Sequence, residues 1–116
     1  MAGGLHKYTV VEAKNIGTGQ TGNAFVQAAT SATTYTPPSG SVIVAITLLS
    51  STNFDELTPE DTSLWCGDTG SPGTNGTAFS EETMPSGVTM YGRWLSFKLK
   101  AYTSGTKDRV LVYYAP

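Results

Sequence analysis

Between Ser41 and Ser50 runs the segment Val42-Ile43-Val44-Ala45-Ile46-Thr47-Leu48-Leu49, in which Thr47 is the one polar side chain. Its length and its β-branched residues make it a strand. Strand side chains alternate between two faces, and here both faces are apolar. Neither face suits water, so the strand needs cover on both sides, as in a sandwich interior or at a subunit contact. The run is far too short to cross a membrane. Before it stands Tyr35-Thr36-Pro37-Pro38-Ser39-Gly40. Its two prolines cannot donate to a ladder, and Ser-Gly suits a turn.

The rest of the chain reads as further strands. In Arg93–Lys100 the positions Leu95, Phe97 and Leu99 are apolar and Ser96, Lys98 and Lys100 polar, the period of a half-buried strand. A turn over 103–108 should return the chain as Val110–Tyr114, its hairpin partner. Lys7–Lys14 and Phe25–Ala29 are shorter strand candidates, with a flexible turn region over 17–22 between them. Thr58-Pro59-Glu60-Asp61 carries helix-start chemistry: a capping hydroxyl, a proline for the first position and acids at the N-terminus. Little after it could prolong a helix, so one turn is expected near 59–64, followed by Leu64-Trp65-Cys66 packing into the core. The glycine-rich loop over 67–76 is expected to be the most mobile part. Gly, Thr and Ser number 13, 18 and 11 of 116 residues, the wrong composition for a helical bundle. With 39% hydrophobic residues the chain still has material for a core. The expectation is an all-β, single-domain antiparallel β-sandwich, jelly-roll-like, over residues 1–116, with 1–6 a flexible arm. Two stretches echo each other: Pro38-Ser39-Gly40 and Pro85-Ser86-Gly87 each precede a hydrophobic strand. Shared turn chemistry or an old duplication would each produce this.

No residue pattern points to catalysis, a cofactor or a metal. Cys66 is the single cysteine, so no intrachain disulfide can form; it reads as a buried, inert thiol in a protein folded in a reducing cytoplasm. The first residues lack the charged start and apolar stretch of a signal peptide. His6 has no second histidine to join in a zinc set. Asp68-Thr69-Gly70 matches the short motif of aspartic proteases, but Gly67 precedes it where a hydrophobic strand should be. Asp55, Glu56, Glu60 and Asp61 cluster without calcium-loop spacing. Asn75-Gly76-Thr77 fits a glycosylation sequon and reads as a turn. Net charge is −2, which disfavours nucleic-acid binding. The charge is uneven: residues 15–92 hold seven acids and no Lys or Arg, while 93–116 hold five basic residues and one acid. Either the two blocks neutralise each other within one fold, or acidic loops of one copy attract a basic strand of the next. Exposed aromatics among Tyr91, Trp94, Tyr102, Tyr113 and Tyr114 would be candidates for stacking on a sugar.

Pro85-Ser86-Gly87-Val88-Thr89-Met90-Tyr91-Gly92-Arg93-Trp94 is a distinctive stretch. With the strand after it and the terminal Val112-Tyr113-Tyr114, it resembles the C-terminal signature of small β-rich virion proteins of tailed bacteriophages. Thr36–Leu48 and Phe54–Thr58 look like the same family's central block. The resemblance covers roughly 35–60 and 83–115. It implies a non-enzymatic capsid decoration (cement) protein on the virion surface, made in the host cytoplasm. Its partners would be the major capsid protein or other virion proteins, without nucleic acid or membrane. It would be a homo-oligomer, with a trimer favoured over a dimer. An N-terminal docking arm would add a strand to the shell, placing Leu5, Lys7, Tyr8 and Val10 at the interface together with Arg93. Pro85, Gly87, Tyr91, Gly92 and Trp94 would be the structural signature. Gly92 would permit a bulge or a tight bend between two strands, Trp94 would plug the core, and Arg93 would lie over an aromatic or pair with a loop carboxylate. The alternative is a tail- or fibre-associated module that binds a host glycan.

Overall fold

The computed structural model describes residues 22–79, 82–102, 104–105 and 107–116. The apolar run becomes strand β3 (Val42–Leu48). Around it lie β1 (Asn23–Gln27), β2 (Thr34–Tyr35), β4 (Thr52–Pro59), β5 (Thr83–Met84), β6 (Thr89–Leu99) and β7 (Arg109–Ala115). Every pairing is antiparallel. The strands form one seven-stranded sheet in the order β1-β7-β3-β6-β4-β5, with β2 also on β6. The described residues contain no helix. The expected first strand (7–14) and the arm (1–6) lie outside the described residues.

The central place of β3 follows from its sequence, because its most apolar stretch has both edges hydrogen-bonded, to β6 and to β7. This overturns the expected hairpin between β6 and β7. Both run antiparallel to β3, so they are parallel to each other, and a tight turn cannot join parallel strands. Residues 100–108 make the longer connection instead.

Bulges shape three of the strands. Between the pairs Ile43↔Trp94 and Ala45↔Tyr91, Val44 stands opposite both Gly92 and Arg93. Toward β7 the extra residue is Val44 itself, between Ile43↔Tyr114 and Ala45↔Tyr113. The shift resets the alternation, so Ile43, Ile46 and Leu48 are all fully buried in one cluster. A second irregularity between Pro59↔Trp94 and Thr58↔Ser96 leaves Leu95 unmatched. Leu95 was expected in the core beside Phe97 and Leu99, but it is 44% exposed, and Trp94 is buried instead. Asp55 is a third extra residue, between Phe54↔Leu99 and Glu56↔Lys98.

The long strand β6 changes partners along its length. Thr89–Trp94 pair with β3, and Trp94–Leu99 pair with β4, with Phe97 and Lys98 also on β2. Its far end lies beside the start of β4, where the Lys100 N–H donates to the Asn53 carbonyl at 3.0 Å. The core joins Ile43, Ile46 and Leu48 to Phe54, Leu57, Trp94, Phe97, Leu99, Val110 and Val112. Phe97 meets Phe54 edge-on at 5.6 Å and Tyr35 at 5.3 Å between ring centres. Each such side chain contributes about 1.5–3 kcal/mol relative to leaving it in water.

The expected helical turn at 59–64 is also corrected. Thr58 and Pro59 belong to β4, and the Glu60 N–H continues the pairing to the Arg93 carbonyl at 2.9 Å. The chain turns one step later, where Leu64 and Trp65 both donate to the Asp61 carbonyl at 3.1 Å. Asp61 rather than Thr58 is the cap: its Oδ1 accepts from the Ser63 hydroxyl at 2.6 Å and the Ser63 N–H at 2.9 Å. Those two bonds, the hydroxyl's first, hold the Asp61 carboxyl below its usual range. The loop expected to be most mobile is fastened at its start. The Asp68 N–H donates to the Leu57 carbonyl at 3.0 Å, and its Oδ1 accepts the Leu57 N–H at 3.1 Å. The two Pro-Ser-Gly turns share a conformation, with φ of +85° at Gly40 and +84° at Gly87, which glycine adopts without cost.

Candidate functional site

The strand registers assemble a face on the side of the sheet away from the core. Phe25 pairs with Leu111, Leu111 with Thr47, and Thr47 with Thr89, in one row across β1, β7, β3 and β6. The next row is Asn23, Tyr113, Ala45 and Tyr91. Residues directly opposite in a ladder share a face. The alternate rows, Val26–Val110–Leu48 and Ala24–Val112–Ile46–Met90, run on the core side. Phe25 is 57% exposed and Tyr91 76%. At the β6 end of the row the Thr47 and Thr89 hydroxyls bond to each other at 2.9 Å, which satisfies part of their hydrogen bonding within the sheet. Tyr113 continues the face into a second apolar cluster with Val42, Val44 and Ala115. This is the other side of the strand whose sequence is apolar on both faces.

The signature residues fall on the turn and strand that frame this face. Pro85 and Gly87 form the turn into β6, where the Gly87 N–H donates to the Leu48 carbonyl at 2.7 Å. Tyr91 stands on the outer face. Of the bulge and the tight bend that the sequence offered for Gly92, the strand pairing has the bulge. A Cβ on Gly92 would come within 2.8 Å of the Trp94 ring and 3.0 Å of Trp65. Trp94 is 3% exposed, and its Nε1–H donates to the Cys66 carbonyl at 2.9 Å.

Of the residues expected at a partner interface, Leu5, Lys7, Tyr8 and Val10 lie outside the described residues. Arg93 is 6% exposed. Its Nε donates to Glu60 Oε1 at 2.8 Å, and its Nη2 to Glu60 Oε2 at 3.3 Å and the Pro116 carbonyl at 3.4 Å. The carboxylate expected as one of its partners is Glu60. Lys98 Nζ similarly meets Glu56 at 3.1 Å. Among the described residues, the acidic and basic blocks of the sequence thus meet inside one chain at two points. The acidic cluster is divided among these partners: Glu56 on Lys98, Glu60 on Arg93 and Asp61 on Ser63. Asp68 of the protease-like motif ties its loop to β4. Cys66 is half-buried, with Sγ 3.2 Å from the Ser71 hydroxyl.

The sequence reading missed the outer face because Phe25 and Leu111 look like core residues of short strands. The available signal was the C-terminal Val110-Leu111-Val112-Tyr113, which is apolar on both faces as β3 is. No family model matches the chain, no curated protein matches it, and no solved structure matches it.

Proposed function

We propose that this chain is a virion structural protein of a tailed bacteriophage, a capsid decoration protein that cross-braces shell subunits without catalysing a reaction. The observation that carries the reading is the outer face of the sheet, with Phe25, Leu111, Tyr113 and Tyr91 in adjacent register. β3 itself is buried on both sides, and the side chains that this face turns to solvent are Phe25 on β1 and Tyr91 on β6, an exposed aromatic pair suited to a surface that a partner covers. The virion resemblance of residues 83–115 supplies the partner class, the major capsid protein and further copies of this chain. A homo-oligomer, with a trimer favoured, on the capsid surface would bury on the order of 1,200–2,000 Å² at each stable contact.

The sandwich architecture belongs to the same proposal. β6 pairs with β3 through its first half and with β4 and β2 through its second. Its end at Leu99 sits beside Phe54, just after the end of β3 at Leu48, although Trp94 sits beside Ile43 at the start of β3. A strand with these neighbours turns back over the core at the Gly92 and Leu95 bulges. That is how one strand passes between the layers of an orthogonal sandwich.

Quantitative mass spectrometry of purified particles tests the function. Decoration predicts copies on the order of hundreds per particle, in proportion to the shell symmetry. A few copies per particle would move the protein to the neck or tail. Absence from particles would overturn the reading.

A further inference from the structure

At the end of the sheet where β3 turns into β4 and β6 ends lies an open cleft of about 490 Å³. Its volume is in the range of small-ligand sites. Ser51, Asn53, Thr83, Lys100, Tyr102 and Asp108 are among the residues lining it, and none of these belongs to the outer sheet face. We propose that this cleft binds a neutral sugar residue.

The chemistry of the lining favours that class. A sugar hydroxyl both donates and accepts, so it suits a wall that mixes carboxylate acceptor, ammonium donor, amide and hydroxyl groups. Asp108 and Lys100 bring an acceptor and a donor to the wall, both of which a polyol's hydroxyls can use. Tyr102 supplies an aromatic ring for the C–H face of a pyranose and a hydroxyl at its edge. Lys107 Nζ lies over one face of that ring, 5.1 Å from its centre, so a sugar would stack on the other face.

The walls are held by bonds of the main chain. Asp108 Oδ2 accepts the Asn53 N–H at 3.0 Å, and the Asn53 carbonyl accepts the Lys100 N–H at 3.0 Å. The Tyr102 N–H donates to the Ala29 carbonyl at 3.1 Å. The Ser50 hydroxyl accepts the Arg109 N–H at 2.9 Å, which fixes the chain just past Asp108. A site whose polar groups are set before the ligand arrives loses less entropy on binding. Of the aromatics that sequence reading offered for sugar stacking, Trp94 is in the core, and Tyr102 is the one that lines this cleft.

The test is an amide NMR titration of the full chain with glucose, galactose, mannose and N-acetylglucosamine, with acetate and sulfate as charged controls. The expected result is a saturable shift with at least one sugar, centred on Asn53, Lys100, Tyr102 and Asp108. Lys100→Ala and Tyr102→Leu should each weaken it, the latter about tenfold. Lys100 is exposed, so its variant should keep the dispersed spectrum of the folded chain even if the Tyr102 variant does not. No saturable shift with any sugar, a larger shift with the charged controls at the same amides, or sugar shifts unchanged in Lys100→Ala would each overturn the proposal. None of these outcomes depends on whether the chain is found on a virion.

Discussion

Gly92 lies directly against the ring of Trp94, with room for a hydrogen and none for a methyl. A Cβ at Gly92 would sit 2.8 Å from Trp94 Cη2 and 2.9 Å from Cζ2. The reason for glycine here is this closeness, at a bulge where two residues of β6 oppose one of β3. Gly92→Ala should therefore destabilise the fold by about 1–3 kcal/mol, as overpacking does. In denaturant unfolding the midpoint should fall while the slope stays the same. An unchanged midpoint would mean that the Trp94 ring can move aside at no cost.

Trp94 also fastens the loop after β4 to the core. Its Nε1–H is the partner of the Cys66 carbonyl, at 2.9 Å. Trp94→Phe removes ring volume from a buried site and leaves that carbonyl without its donor. The expected loss is about 2–4 kcal/mol, larger than a volume change alone would give. Hydrogen exchange should show the amides of Gly67 and Phe79 losing protection along with the rest of the loop.

Arg93 and Glu60 join β6 to the end of β4, with side-chain exposures of 8% and 27%. Removing the guanidinium takes its forked contact from the half-buried Glu60 carboxylate, while the exposed Pro116 carbonyl turns to water. Arg93→Ala should cost about 2 kcal/mol, below the figure for a fully buried pair because Glu60 keeps contact with water. Arg93→Lys should recover only part of this, since an ammonium cannot match the forked contact. A double-mutant cycle with Glu60→Gln measures the coupling, and a coupling near zero would assign the loss to packing.

What the sequence made legible follows from how regular each strand is. β3 could be read because its composition alone demands burial, and the turns at Gly40 and Gly87 could be read from Pro-Ser-Gly. β4 could not, because Asp55 is an extra residue that breaks the alternation of Phe54 and Leu57, and acids are poor strand formers. Thr58-Pro59 then resembled a helix start, although the chain was still paired with β6. Leu95 was placed inside for the same reason: a period of two cannot reveal a bulge. Strand order was hidden too, since nothing local says that β3 inserts between β6 and β7. Of the candidate surface, the signature residues were visible as a motif, while the face that Phe25 and Leu111 complete exists only once the register is known.

Burial raises the pKa of the Tyr35 phenol above its ordinary value of 10.0, with a smaller contribution from Tyr114. The folded state therefore holds the proton more tightly than the unfolded state does. That contribution to stability is complete below the unfolded value and is lost as pH rises through the folded one. In an absorbance titration of tyrosinate formation, one group should ionise late, and Tyr35→Phe should remove that late phase. The same variant should lessen the fall in stability on the alkaline side. A late phase that persists in Tyr35→Phe would assign it to another tyrosine.

The outer face predicts a separation between folding and assembly. Phe25 and Tyr91 are the most exposed large apolar side chains described, and they lie at opposite ends of adjacent rows on β1 and β6. Because both project into solvent, Phe25→Ser with Tyr91→Ser should change the stability of the isolated chain by no more than about 0.5 kcal/mol for each substitution. If the face is covered by another copy or by the shell, the same pair should lower the sedimentation mass toward the monomer, or weaken attachment to particles. The exposed Lys100→Ala, in the cleft at the end of the sheet, serves as the matched control and should alter neither. Wild-type mass and particle attachment in the double variant would show that assembly uses a different surface of the chain.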